Sequence, residues 1–319
     1  MRTLAGFAAA AAMLTLGGAA HAQYPERPIN VIIPFAAGGG ADITARTLFP
    51  FVAKYMPEGT SFVPVNRAGG GGEVGFTEIA LAEPDGYTIG AINTPSVVMK
   101  PHEHETRYDK DGFTYIANVA YDPSAIAVRA DSPLQTIEQM IEQLKAEPES
   151  LVAGTSGLGT EDHLLLARLG TMTGAVVSIA PFKSSGEALL ALKGGHVDLT
   201  VVNTTVSSTE LAEGTIRVLA LASDARWDHA PDVPTFQEMG IELISGSARG
   251  YGGPAGMPEE ATAMLADAIA QAVEDPEFIA AAEGQRLPLR YMDSTEYKAF
   301  IDEQDAALGE QWASDPWIK

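Results

Sequence analysis

Three times before residue 165 this chain runs a short apolar stretch into a glycine-rich turn and at once opens a helix. The stretches are "INVIIPFAAGGGADITAR" from Ile29, "SFVPVNRAGGGGEVG" from Ser61 and "SLVAGTSGLGTED" from Ser150. A buried strand followed by a one-sided helix is a βα unit, and such units in series build parallel sheets. Glycines let the backbone approach a partner closely, and a helix start offers unpaired N–H groups and a partial positive charge. The pattern predicts loops that hold an anion at the carboxyl ends of strands.

The balance of charge narrows the partner. With 20 Lys and Arg against 42 Asp and Glu, the chain carries −22 at neutral pH. Nucleic acid is excluded, because phosphates reward a basic surface. An acidic protein can still hold a small anion, provided local dipoles and one or two Arg do the holding. No cysteine occurs, which rules out disulfides, a thiol nucleophile and a Cys₄ zinc site. The N-terminus joins Arg2, an apolar run from Leu4 to Leu16 and the small-x-small triplet Ala20-His21-Ala22. That is a secretory signal, with cleavage expected after Ala22 and an exported mature chain.

Further strands are expected at "YTIGAI", "FTYIANV" and "AIAVR", and in the second half at "AVVSIAPF", "VDLTVVN" and "IRVLALAS". Helices are expected over 42–55, 73–82, 161–171 and 207–213. The stretch "LQTIEQMIEQLKA" carries Ile137, Met140, Ile141 and Leu144 on one face. Two lobes of this kind, each a mainly parallel sheet flanked by helices, would bring their loops to a common cleft.

Each motif has a competing reading. Gly70-x-Gly72-x-x-Gly75 matches the dinucleotide fingerprint, but position 95, where its acid belongs, is Pro95. "GTSGL", Gly154 to Leu158, resembles a hydrolase nucleophile elbow with Leu158 in place of the last glycine, and His163 falls in the wrong order. "HEHE", His102 to Glu105, reads as a solvated polar turn rather than a metal site. Asp42 reads as a helix-start acid that pairs with Arg46 one turn on. Arg249, set among small residues in "GSARGYGGPAGMP", is the best single match to a carboxylate. Nothing here calls for a cofactor or a metal.

These segments together resemble the extracytoplasmic solute receptors of tripartite tricarboxylate transporters, the Bug-type receptors. "YPERPINVIIPFAAGGGADITAR" is similar to the family's opening motif, and "NRAGGGGEVG" and "AEPDGYTIG" to its second loop and following turn. "GTSGLGTEDHLLLARL", "APFKSSGEALLALKGGHVDL", "IRVLALASDARWDHAPDVPTFQEMG" and "GPAGMP" follow in order. The resemblance implies an α/β, two-lobed periplasmic binding protein of type II with its ligand cleft between the lobes. Residues 23–123 and 225–319 would form lobe 1, residues 124–224 lobe 2, and residues 1–22 the signal peptide.

It further implies a periplasmic monomer without catalysis, binding a small carboxylate and handing it to a two-subunit membrane permease. Carried over residue by residue, the site would use Phe35, Ala36, Gly38, Gly39, Gly70 and Gly71 from lobe 1, with Asp42 setting the first helix. Thr155, Ser156 and Gly157 would serve from lobe 2. Lys183 stands where the family's aromatic-Lys-Gly turn reads Phe182-Lys183-Ser184. Thr94, Asn203 and Arg249 would line the far end, and the last two favour a di- or tricarboxylic acid. A hydrolase using Ser156 and a receptor feeding a membrane kinase are the alternatives.

Overall fold

The computed structural model describes residues 24–318, so the expected signal and its cleavage point lie outside the described residues. In chain order the elements are β1 (Ile29–Ile33), α1 (Gly40–Val52), β2 (Phe62–Asn66), α2 (Glu73–Ala80), β3 (Thr88–Thr94), α3 (Ser96–Glu103) and β4 (Phe113–Arg129). Then come α4 (Ile137–Ala146), β5 (Val152–Thr155), α5 (Glu161–Thr173), β6 (Ser178–Pro181), α6 (Ser185–Lys193), β7 (Leu199–Asn203), α7 (Thr204–Ala212) and β8 (Ile216–Leu221). The chain closes with β9 (Gly246–Pro254), α8 (Glu259–Glu274), α9 (Pro276–Gly284), β10 (Leu289–Met292) and α10 (Ser294–Ser314).

Local chemistry accounts for the helix starts. Thr136 accepts the Gln139 N–H at the head of α4, and Asp293 with Glu296 forms a reciprocal capping box at α10. The sheet runs β2-β1-β3-β9-β4-β7-β5-β6, with β8 and β10 also pairing β4. Pairing is parallel on the two flanks, β2-β1-β3 and β7-β5-β6, as the βα units require. The centre is antiparallel, because β4 and β9 run back against their neighbours. The sheet is therefore mixed where mainly parallel lobes were expected.

Apolar packing lies on both sides of this centre, in three clusters. One side gathers Ile33, Phe49, Phe76, Ile92, Tyr251 and Tyr297. The other gathers Ile126, Leu165, Val201, Leu219, Phe236 and Leu243 on one face of its sheet and Ala125, Leu192, Val202 and Leu221 on the opposite face, the two together forming the second core. The expected strands "FTYIANV" and "AIAVR" are one continuous strand, β4, which serves both cores in turn. The chain's return comes later than residue 225: Phe236 and Leu243 still pack in the second core, and Ser245 accepts the Ser124 N–H. The segment expected as an extended "HEHE" turn begins inside α3, a helix that accommodates Pro101.

Backbone crowding at the centre depends on glycine. An added Cβ at Gly250 would run into the Tyr297 ring, whose hydroxyl bonds the Ile92 carbonyl and whose side chain is fully buried. Gly250→Ala is expected to lower unfolding free energy by about 1–3 kcal/mol in a urea titration, since the ring has nowhere to go. An unchanged midpoint would show that the ring has room to shift.

Candidate functional site

The first glycine loop is shaped by an acid. Asp42 accepts the Gly38 N–H at 3.0 Å, Arg46 Nε at 2.8 Å and Asn66 Nδ2 at 3.0 Å, while Asn66 also donates to the Phe35 carbonyl. Gly38 has φ +80°, a conformation that β-carbons disfavour. Asp42 thus positions the turn that delivers Gly39 and Gly40 to the start of α1. In the third loop Asp162 plays the matching part: its Oδ2 accepts the Ser156 N–H at 2.8 Å, and His163 Nδ1 accepts from Gly159.

Four helix starts meet where these loops meet. Gly39, Gly40 and Ala41 come from α1, Glu161 from α5, Ser184 and Ser185 from α6, and Asn203 from the cap of α7. Together with Phe35, Ser156, Ser247 and Arg249 they wall a single small cavity. Converging helix N-termini present their orphan N–H groups and positive dipole ends to one point, which is how proteins hold anions without a net positive charge.

The walls stand close together. The Ala36 N–H donates to the Lys183 carbonyl at 3.0 Å, and Lys100 Nζ bonds the Leu158 carbonyl. A Cβ at Gly186 would lie 2.5 Å from the Gly38 carbonyl, and one at Gly157 only 2.9 Å from the Gly71 Cα. About 10 Å³ of space remains between them, enough for roughly one water. Admitting an organic acid therefore requires these walls to separate.

Charge inside the cavity is unusual. Arg249, 4% exposed, donates through Nη2 at 2.8 Å and Nε at 3.2 Å to Asp122 Oδ2, which is wholly buried. Asp122 Oδ1 accepts from Thr204 Oγ1 and the Thr205 N–H, and its carbonyl accepts from Asn203 Nδ2. Glu161, 6% exposed, accepts from Ser96 Oγ at 3.3 Å and makes no ion pair among the described residues. Burial raises its pKa above the carboxylate range, against the pull of Arg249. Asp162 is pushed up to about 8 by burial and by the neighbouring Glu161.

The expected residues divide into three groups. Phe35, Gly39, Ser156, Asn203 and Arg249 reach the cavity. Gly38 and Asp42 shape the first loop; Gly71 and Gly157 meet beside it, Thr155 Oγ1 donates to the Gly157 carbonyl, and Gly70 lies against Glu73 without lining the cavity. Ala36 and Lys183 meet each other through backbone, with the Lys183 side chain exposed, and Thr94 is buried against Ala248 at the end of β3. Arg249, expected as a free fork for a ligand, shares its charge with Asp122. Sequence reasoning missed Asp122 and Glu161. Asp122 lies in "AYDPS" with no periodicity or motif to mark it, and Glu161 reads as an ordinary helix-start acid.

The hydrolase alternative gains no support from geometry. No hydrogen bond joins Ser156 Oγ to His163 among the described residues, and His163 Nδ1 is already taken by Gly159. Its pKa is lowered by burial. The "HEHE" imidazoles part company: His102 pairs with Asp305 and His104 with Glu73. A larger cavity, about 600 Å³, lies behind the third loop against Leu166, Val177, Asp315 and Trp317. Its charged wall groups are Glu149 and Asp315, with no Lys or Arg lining it among the described residues. The small cavity, in contrast, has Arg249 and the helix starts to set against its acid, so the candidate site is the small cavity.

Two lobes, helix-start loops and a cleft between cores define a solute receptor of the periplasmic binding protein fold. Residues 53–311 match the tripartite tricarboxylate transporter family receptor, and the chain belongs to that family. Among curated relatives, the UPF0065 protein in the gbd 5' region of Cupriavidus necator is 33% identical, covering 94% of this chain and 92% of that protein. The periplasmic binding protein BugD aligns with a TM-score of 0.86 at 28% identity, covering 91% of this chain and 98% of that one. An R. palustris protein solved with adipate aligns at 0.84 and 26% identity, covering 91% and 97%. The family is one of periplasmic solute receptors that bind small carboxylates.

A raised carboxyl pKa in the fold has a definite consequence for stability. The folded chain keeps a proton on Asp162 that the unfolded chain releases, so this group's stabilisation is complete at low pH and is lost as pH rises towards about 8. Asp162→Asn retains an acceptor for Ser156 and cannot ionise. Its unfolding free energy should fall less steeply than that of the unaltered protein between about pH 5 and 8 in denaturant titrations. Equal slopes would mean that Asp162 does not titrate in this window.

Proposed function

We propose that this protein is an exported receptor for a dicarboxylic or tricarboxylic acid, cleaved after Ala22, that delivers its ligand to a two-subunit membrane permease. The observation that carries the reading is the meeting of four helix N-termini, from both sides of the cleft, at one cavity containing Arg249. Those N–H groups would take one carboxylate of the acid. Charge-assisted bonds of this kind contribute about 1.5–3 kcal/mol each when shielded from water.

A second carboxylate would lie towards Arg249 and Asn203. Likeness to the R. palustris protein solved with adipate supports an acid with two ends. The two cores would act as lobes that swing apart about the crossings at Pro123–Ser124 and Ser245–Gly246, where β4 meets β9 and its approach. Closing on the acid would restore the Ala36–Lys183 and Lys100–Leu158 contacts and so present one defined surface to the permease.

The test is a thermal-shift screen of the purified protein, after unfolding, dialysis and refolding, against mono-, di- and tricarboxylates, amino acids and neutral esters. An acid at 100 times its Kd should add about 2.7 kcal/mol, a rise of several degrees. Shifts confined to di- or tricarboxylates are the expected outcome. Shifts with amino acids or esters only, or with nothing, would overturn the assignment.

A further inference from the structure

The cavity holds one more carboxyl than a site for an anion can tolerate in ionised form. Arg249 is its one full positive charge, and that charge is already met by Asp122 at 2.8 Å. Glu161 faces the same space with Ser96 Oγ and its own backbone N–H as donors, and no cation pairs with it among the described residues. The groups around it come from several elements: Arg249 from β9, Asp122 and Tyr121 from β4 and Asp162 from its own helix. The α1 and α6 walls contribute only Gly39, Gly40, Ala41, Ser184 and Ser185, none of which titrates. An ionised Glu161 would therefore stand against the incoming carboxylate with only the helix starts and a guanidinium already paired to Asp122 to offset the repulsion.

We propose that Glu161 determines specificity as a neutral carboxylic acid, donating its O–H to a carboxylate of the ligand, so that binding draws one proton from solution. The inference rests on the carboxylate reading of the site. No covalent bond to carbon changes: the proton passes from water or buffer to a Glu161 oxygen and is then shared with the ligand oxygen. Burial already favours the neutral form, and the arriving anion favours it further. By linkage, affinity must then fall as pH rises above the pKa of Glu161 in the free protein, by up to about tenfold per pH unit. A receptor so built would bind its acid best where protons are plentiful.

The experiment is calorimetry with succinate, adipate, citrate and the amino acid glutamate across about pH 5.5 to 9, each in buffers of different ionisation enthalpy, on the unaltered protein, Glu161→Gln and Asp162→Asn. Proton uptake per acid that rises with pH towards one, as the free protein ionises Glu161, is expected for the unaltered protein. Glu161→Gln keeps an N–H donor and an acceptor for Ser96 but cannot titrate. It should bind without proton uptake, with affinity independent of pH, while Asp162→Asn keeps the uptake. Binding without proton exchange in the unaltered protein, or uptake that survives Glu161→Gln, overturns the proposal and leaves the receptor reading standing. Preference for amino acids that is lost in Glu161→Gln would show an ionised Glu161 holding an ammonium group, and overturns it too. Binding of none of these acids would overturn both. Should Glu161→Gln fail to fold, the buffer series on the unaltered protein still decides.

Discussion

The Asp122 carboxylate is the point on which the centre of this molecule depends. One oxygen holds the Arg249 guanidinium of β9, the other holds the first turn of α7, and the backbone carbonyl of the same residue holds Asn203. Three elements remote in sequence are thereby locked where β4 passes from one core to the other. Removing one partner of such a buried pair leaves a stranded charge and costs about 3–5 kcal/mol, whereas the intact pair costs little beyond its desolvation. The same lock places a guanidinium, already half neutralised, at the edge of the cleft. The centre of the structure is in this way set by one ion pair.

Glycine supplies the second constraint. The walls of the cleft meet backbone to backbone at Gly38–Gly186 and Gly71–Gly157, at separations no β-carbon would permit. The glycine runs matter twice over: they leave the helix starts free of side chains, and they let the two walls approach until the space between them is nearly gone. Asp42 and Asp162 add the rigidity that the glycines lack, each accepting a loop N–H from the first turn of its helix. An acidic protein can in this way build a site for an acid, because aligned peptide dipoles act at a few ångströms while the net charge is screened by salt.

Much of this was legible in the chain. The alternation of apolar runs, glycine turns and one-sided helices fixes the βα units, and the parallel flanks of the sheet follow from them. The three loops, and within them Gly39 and Ser156, were visible because glycine and hydroxyl residues at a helix start have few other uses. What was not legible involves partners distant in sequence. The 17-residue β4 looked like two strands because its apolar pattern changes at Tyr121-Asp122-Pro123, where it changes cores. Arg249 looked free because Asp122 lies 127 positions away. Glu161 went unmarked as the first residue of an expected helix, because nothing local says that α3, β9 and α6 will close over it.

The sequence by itself therefore determined the class of the protein: which segments are strands, which loops can carry N–H groups to an anion, and the family whose spacing they share. These are properties of short windows, set by side-chain period, by φ preference and by helix capping. Only the tertiary structure decided the electrostatics of the cleft. Whether a carboxyl is ionised, or a guanidinium is available to a ligand, depends on burial and on the nearest opposite charge. For Arg249, Asp122 and Glu161 both are supplied by residues that only the folded sheet brings within reach.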